Sequence, residues 1–389
     1  MFENYHLKNF NFRIIIYVLV LSVIGVLLIY SATNQSTYYG NYYKRQIFGI
    51  AVGFVAMMVM ALISYKFVLK CWPFVYAIDM VLLVLTAIMG STHGGAKRWL
   101  VLPLIGNLQP SDFSKIAIIV CLAAFIAYFH EKLNKPVVLF GALCMVVPHI
   151  FMVFRQPDLS TTILMLAIVA VMLYVAKISY KYILGVLAIL LPVVVYFAYF
   201  ILSHTMDELV TMAGENYQLK RILSFIWPSL FQDSIYQQQN SVMAIGSGGL
   251  LGKGLNTTTF ESVKNGNFIS ASHTDFIFTI AGEELGFAGC VLIILLLLLL
   301  VIECLHIAKN ADSIEGRVIC VGVATMYATQ TFINIAVATW IMPNTGLPLP
   351  FISYGLSSII SMYISVGLVL NVGLQRKIRE KESTIFDDL

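Results

Sequence analysis

At 389 residues, with 59% apolar and only 11% charged and a mean hydropathy of +0.86, the chain departs from soluble domains, where roughly half the residues are apolar and about a quarter charged. This excludes an ordinary soluble enzyme and predicts an all-α polytopic membrane protein. The net charge of +4, from 24 Lys and Arg against 20 Asp and Glu, is mild and scattered, so no nucleic-acid partner is inferred. The six cysteines (Cys71, Cys121, Cys144, Cys290, Cys304 and Cys320) lie in or beside apolar runs with no CxxC pair. They suggest neither a disulfide framework nor a zinc site and read as small core residues.

One hydrocarbon crossing takes about 20 apolar residues. Long apolar runs predict ten crossings, centred on 14–31, 47–64, 72–90, 113–129, 136–154, 159–176, 182–202, 276–303, 316–340 and 351–374. Residues 1–389 form a single transmembrane domain, with one large extracellular loop, 203–274, between helices 7 and 8. An even number of crossings puts both termini on one side, and Lys and Arg in short loops select that side. With the termini inside, the cytoplasmic set holds fourteen, from Lys8 and Arg13 to Arg376, Lys377, Arg379 and Lys381, against six in the short outer loops and helix mouths. Both termini are therefore expected in the cytoplasm. Lys8 and Arg13 before the first run, and Ser31, Ala32 and Thr33 after it, imitate a signal peptide. Its apolar stretch is longer than most signal cores and nine crossings follow, so it is read as a retained helix.

An ionisable group at a bilayer centre costs about 2.5–3.5 kcal/mol on insertion scales, so polar residues at helix mouths mark where function lies. Before span 4 the chain reads His93-Gly-Gly-Ala-Lys97-Arg98-Trp99 and then Gln109-Pro-Ser-Asp112-Phe-Ser-Lys115. Pro110 or Ser111 suits a helix start. Asp112 and Lys115, three apart, either form an ion pair at that cap or serve a site. Arg155-Gln-Pro-Asp158 repeats the pattern between spans 5 and 6. Arg155 and Asp158 either pair with each other or add charge to an outer cavity.

In the long loop, Gly246-Ser-Gly-Gly-Leu-Leu-Gly252-Lys253-Gly254 lacks the Gly at 247 and the hydroxyl at 254 that a Walker motif needs. It is either a backbone cradle for phosphate or a flexible surface turn. Ser272-His-Thr-Asp275-Phe leads into span 8. Ser272 and Asp275 either form a capping box or place a carboxylate base at an outer helix mouth, where the helix dipole lowers its pKa and burial raises it. Glu283 and Glu284 lie deeper in the same run. Between spans 9 and 10, Trp340 to Gly355 carries three prolines after Met342 and imposes a rigid cap or one wall of a site.

Together, Gln109-Pro-Ser-Asp-Phe-x-Lys115, Gln156-Pro-Asp158, Ala244 to Leu255, Ser272-His-Thr-Asp-Phe-Ile-Phe278 and Gly346-Leu-Pro-Leu-Pro-Phe-Ile-Ser-Tyr-Gly355 resemble the SEDS family, the RodA, FtsW and SpoVE proteins of bacterial wall synthesis, and are most like RodA. The resemblance runs along almost the whole chain, in order. It implies a peptidoglycan glycosyltransferase of the bacterial cytoplasmic membrane that polymerises lipid II into glycan strands on the outer face, in cell elongation. The implied partners are the nascent strand, a class B penicillin-binding protein transpeptidase and other elongation-complex membrane proteins.

The family's essential aspartate falls on Asp275, the implied general base. Arg45, Lys115, Lys97 and Arg98 correspond to its basic positions, Trp99 to an Arg-Trp pair, and Ser353 to the polar lining of the last outer loop. His273 and Thr274 join the implied substrate-binding set. Asp112 and Asp158 fall on acidic positions that orient Lys115 or hold a divalent ion such as Mg²⁺; no organic cofactor is expected. The family more often has Glu at the places of Asp112 and Ala271, and a second Gly at Leu356. Two other functions stay open: a lipid II flippase, which needs polar groups through both leaflets, and a non-catalytic scaffold. The short tails favour elongation over an FtsW-like division or sporulation role.

Overall fold

The computed structural model describes residues 7–33, 41–93, 96–102, 106–257, 262, 266, 268–269 and 272–376. The tail cations Lys377, Arg379 and Lys381, Lys264, and most of the loop 256–267 lie outside the described residues.

Helices α1 (Phe12–Thr33), α2 (Tyr42–Leu62), the short α3 (Tyr65–Lys70) and α4 (Trp72–Met89) come first. A small antiparallel sheet follows, β1 (Ser91–His93), β2 (Ala96–Leu102) and β3 (Gly106–Leu108), with β2 in the middle. Next are α5 (Pro110–Phe129), α6 (Pro136–Arg155), α7 (Leu159–Val175) and α8 (Tyr180–Ser203). The long loop folds into α9 (Met206–Glu215), α10 (Tyr217–Ile226) and α11 (Gln232–Ser247). The chain closes with α12 (Ile277–Asn310), α13 (Ile314–Ala338) and α14 (Leu356–Leu374).

Each of the ten expected crossings contains a helix, and among the described residues eight are long and apolar enough to span a membrane, with α7 shorter. Local chemistry sets several of the starts. Proline opens α5 and α6 at positions whose N–H needs no partner. The Asp158 carboxylate accepts from Thr161 N to cap α7, and Thr205 with Glu208 forms a capping box on α9. Helices α5, α13 and α14 are the most enclosed by protein and α4 the least. The second group therefore turns its apolar side chains outward, as lipid contact requires.

The largest departure from expectation concerns 203–274, which does not lie wholly outside the bundle. Helix α11 packs along the first turns of α12 and on α13: Gln238 Nε2 donates to Val337 O at 3.0 Å and Met342 O at 2.9 Å, and Ser241 Oγ to Ala338 O at 2.7 Å. The glycine-rich segment after it enters a break in α12 at Gly286, which has φ 66° and ψ −164°. There Lys253 N donates to Glu283 O (2.9 Å), Gly254 N to Glu284 O (3.0 Å), Phe287 N to Gly249 O (2.9 Å) and Ala288 N to Leu250 O (3.0 Å). The interrupted ladder is thus completed by a second backbone, the condition for non-helical chain at membrane depth. At 1.5 Å per residue the break lies about 14 Å along α12 from its start. The N–H groups of Lys253 and Gly254 are thus spent on α12 carbonyls and are not free to cradle a phosphate, while Leu250 and Leu251 at the tip of the segment stay exposed. Lys253 Nζ reaches Glu283 Oε1 at 2.9 Å, and Ser31 Oγ reaches Glu284 Oε1 at 2.5 Å.

A second buried polar cluster ties α4, α5 and α6 together. Asp79 Oδ1 accepts from Ser114 Oγ at 2.8 Å, and its Oδ2 lies 3.1 Å from His149 Nε2. The edge of the Tyr76 ring packs on the imidazole, with centroids 4.6 Å apart.

Two stability measurements follow. A Cβ on Gly252 (φ +79°) would meet Glu284 O at 2.1 Å, whereas one on Gly249 (φ +55°) meets nothing within 4 Å. Gly249→Ala should cost only about 1–2 kcal/mol for the left-handed backbone, and Gly252→Ala about 3 kcal/mol or more because overpacking adds to it. Thermal unfolding in detergent should rank them in that order. Asp79→Ala should cost about 1–3 kcal/mol in the same measurement, because it leaves the buried His149 imidazole without its partner, whereas Ser114 keeps Pro110 O at 3.2 Å.

Candidate active site

Residues 272–276 form a turn ahead of α12. The helix begins at Ile277 after a non-helical Phe276 with no side-chain cap, so the capping-box alternative for Ser272 and Asp275 does not hold. Instead the proline-rich loop 341–355 holds this turn from the other side. Ser353 Oγ donates to Thr274 O at 2.7 Å while accepting from Leu349 N at 2.7 Å, and Tyr354 N donates to His273 O at 2.9 Å. Asn334 Nδ2, from α13, donates to both Asp275 O (2.9 Å) and Leu347 O (2.7 Å). Gly346 takes φ +80°, and a Cβ there would lie 3.3 Å from Asp275 Oδ2. A glycine therefore both permits the turn and leaves space at the carboxylate.

Three further elements converge on the same place. Thr345 O accepts from Arg221 Nη1 of α10 at 3.1 Å and from Ser160 Oγ of α7 at 2.8 Å. Arg98, on β2, donates through Nε to Gln156 O at 3.0 Å and through Nη2 to Pro157 O. Asp158 stands beside them as the α7 cap, its Oδ1 3.2 Å from Thr161 N.

Asp275 keeps partial contact with solvent but is hemmed in by protein. Desolvation lifts its pKa from 3.8 to about 6; the positive charges of Arg221 and Arg98 oppose the rise, and the negative charge of Asp158 adds to it. No ion pair or side-chain hydrogen bond to a described residue occupies its carboxylate. Burial lowers His273 to about 4, so its imidazole is neutral near pH 7. Its ring packs edge-on against Tyr42, which stacks on Tyr354 with centroids 4.5 Å apart and planes 10° apart. Burial raises the Tyr354 phenol, and a hydrogen bond from Arg45 opposes that rise.

The remaining expected residues sit differently. Asp112 and Lys115 are buried and paired at 2.8 Å, and Ser357 Oγ donates to the second Asp112 oxygen at 3.0 Å, so the ion-pair reading of these two is realised. Arg155 is exposed and Asp158 spends itself on the cap, so they form no ion pair. Lys97 is exposed, while Arg98, its neighbour on the strand, is half-buried, as is Trp99. Strand alternation sends Lys97 and Arg98 to opposite faces.

Asp112 uses both oxygens on Lys115 and Ser357, and among the described residues no group of three or more His, Cys, Asp or Glu converges. This donor set does not fit a divalent ion shared by Asp112 and Asp158. Arg221, Tyr42, Asn334, Tyr354 and Gln46, whose Nε2 donates to Ser353 O at 3.1 Å while its Oε1 accepts from Gly355 N at 3.2 Å, all bear on the site without having been singled out in the sequence. Of these only Tyr354 lies inside a motif, and nothing in its spacing marks Arg221 apart from neighbouring Lys220.

The raised Asp275 pKa has a sign. Its contribution to stability is full below about pH 4 and is lost as pH rises through about 6, because the folded state disfavours the charged form. Asp275→Asn should therefore melt higher than wild type at pH 7.5, by an equivalent of about 1–3 kcal/mol, with the gap closing toward pH 4. Paired thermal melts across that range measure it.

The profile of the FtsW/RodA/SpoVE family, described as a cell cycle protein, matches residues 12–378. A probable peptidoglycan glycosyltransferase FtsW of Trichlorobacter lovleyi is 32% identical, covering 96% of each chain. The peptidoglycan glycosyltransferase MrdB of Escherichia coli K12 is 33% identical, covering 93% of each. A solved structure on the coordination of polymerization and crosslinking by a peptidoglycan synthase complex shares the fold at TM-score 0.75 and 24% identity, covering 95% of this chain and 99% of that one. With its turn, capped helices and polar mouth carried on a scaffold of this type, the chain belongs to the FtsW/RodA/SpoVE family.

Proposed function

We propose that this protein is a peptidoglycan glycosyltransferase that polymerises lipid II at the outer face of a bacterial cytoplasmic membrane, with Asp275 as general base. Membership of the family and relatives named as such enzymes support the reaction class. The observation that carries the residue assignment is the Asp275 carboxylate, lifted to about 6 and flanked by Arg98 and Arg221. A base of that pKa is largely deprotonated at neutral pH and still able to hold a proton as the reaction proceeds.

In the proposed step the acceptor sugar 4-hydroxyl attacks the donor's anomeric carbon. The new C–O bond forms as the bond to undecaprenyl diphosphate breaks, the bonding pair leaves on the diphosphate, and the hydroxyl proton passes to Asp275. The leaving group gains negative charge, which Arg98, Arg221 and Arg45 stand near enough to the turn to offset. Lys115 reaches the substrate only by leaving Asp112, so its part is to shape the neighbouring wall. Neutral His273 and Thr274 line the approach to the base, with Ser353 behind the turn, while Lys97 and Trp99 lie on the strand face opposite Arg98. No step is routed through a metal.

Both described ends of the chain meet, with Asn9 Nδ2 2.8 Å from Arg376 O. This supports termini on one side, and the distribution of Lys and Arg supports the cytoplasm. The partners we propose are a class B penicillin-binding transpeptidase, the nascent glycan strand and the membrane proteins of the elongation complex. Relatives named FtsW and MrdB match almost equally, at 32% and 33%, so the same chemistry serves elongation or division, and elongation is the role we propose. Depletion in the source cell tests it: rounding fits elongation, and filamentation fits division.

Purified protein with its transpeptidase partner and labelled lipid II tests the chemistry. Wild type should form glycan, and folded Asp275→Asn should lose at least about 10²-fold in rate. Equal polymer from both would place the base elsewhere, and none from either would favour a flippase or scaffold.

A further inference from the structure

A cavity of about 430 Å³ opens at the end of the bundle opposite Asp275, between the turn Leu7–Asn9, the start of α1 and the last turns of α12 and α14. Among the described residues it is lined by three fixed cations, Lys8, Arg13 and Arg376, by His306 and by a single carboxylate, Glu303. That carboxylate is taken: its Oε1 lies 3.2 Å from Arg13 Nη1, and its Oε2 accepts from Asn11 Nδ2 at 2.7 Å. Lys8 and Arg376 form no ion pair with any described residue.

The bland explanation is that cations collect here to offset helix dipoles. Helices α12 and α14 both end at this cavity, and each C-terminus is worth about half a negative charge. Among the described residues, two cations without an ion-pair partner and the half positive charge at the start of α1 stand against roughly one negative charge, an excess of about one to two positive charges.

The position of the cavity indicates what would neutralise that excess. Phe12, on its rim, is 65% exposed, and Ile302 and Leu305 on the outer face of α12 are 49% and 44% exposed. The polar cavity begins where this apolar surface stops, and in a bilayer such a boundary between apolar helix face and cationic helix ends falls at the level of the lipid phosphates. A basic pocket between helices at that level suits an anionic headgroup, with the acyl chains on the apolar face beside it.

We propose that this cavity binds the phosphate headgroup of an anionic phospholipid, with Lys8 and Arg376 as its cationic contacts. The site is distinct from the glycosyltransferase centre and does not depend on which residue is the base there. A free phosphate shares the same chemistry, and so, in principle, do the chain's own carboxylates Glu380, Glu382, Asp387 and Asp388 beyond Arg376.

The test uses the full-length protein, stripped of lipid in neutral detergent, with thermal shift and native mass spectrometry as readouts. Probes are phosphatidylglycerol, phosphatidylcholine and inorganic phosphate. Phosphatidylglycerol should bind at least tenfold more tightly than phosphatidylcholine and weaken with salt. Lys8→Gln with Arg376→Gln should lose at least fivefold in that affinity, while Lys8→Arg with Arg376→Lys keeps it, which separates loss of charge from misfolding. Equal binding of the two lipids, or no change in the double glutamine variant, would overturn the proposal. An equal shift with inorganic phosphate would reassign the cavity to a soluble anion. A site that takes lipid only after deletion of 377–389 would reassign it to the chain's own tail.

Discussion

A backbone surrounded by hydrocarbon must satisfy every N–H and C=O within the protein, and this constraint governs the arrangement around Gly286. Helix α12 breaks there, and the glycine-rich segment after α11 supplies the donors and acceptors that the break leaves open. Glycine is required on both sides of the junction, because Gly248, Gly252 and Gly286 each bring backbone within a distance no Cβ tolerates. The consequence extends to the mouth of the bundle where Asp275 lies. The first turns of α12, from Ile277 to the break, are held by α11 and the inserted segment as one unit, and Asp275 stands at its head. The Lys253–Glu283 pair and the Ser31–Glu284 hydrogen bond fasten that unit within the bundle.

Above it, opposing electrostatic effects are set against each other. Desolvation raises Asp275, two guanidinium groups lower it, and a neighbouring carboxylate raises it again. Burial wins, but only far enough to place the group near 6. The arginines are positioned largely through main-chain carbonyls: Arg221 holds Thr345 O, and Arg98 holds Gln156 O and Pro157 O. Neither is paired with Asp275, so the carboxylate is tuned without being consumed. Lys115 has the opposite fate, locked to Asp112 in a buried pair. Position in a motif thus does not separate a charged group left open from one locked in a pair.

Much of the architecture was legible in the sequence, because apolar runs of crossing length have few alternatives to helices. The motif around Asp275 was legible too, as was the rigid loop ending at Tyr354, through its prolines. What escaped depended on tertiary pairing. The insertion of 248–254 into α12 leaves no periodic signal, since glycine-rich chain reads equally as a turn, a cradle or a packing element. Arg221 lies on an amphipathic helix of the long loop, where any cation reads as solvated. His149 meets Asp79 only because α4 and α6 pack together, and a lone histidine in an apolar run carries no spacing to announce a partner. Arg155 and Asp158, close in sequence, turn apart because α7 claims the aspartate as its cap.

We propose that the carboxylate of Asp275, held near 6 by burial against nearby arginines, takes the proton during polymerisation. The pH dependence of lipid II polymerisation tests it most directly, comparing wild type with Arg98→Gln. The account predicts an acid limb near pH 6 in wild type that moves upward in the variant, because removing the guanidinium leaves desolvation less opposed. An acid limb that stays in place when Arg98 is neutralised, while the variant remains active, would contradict it.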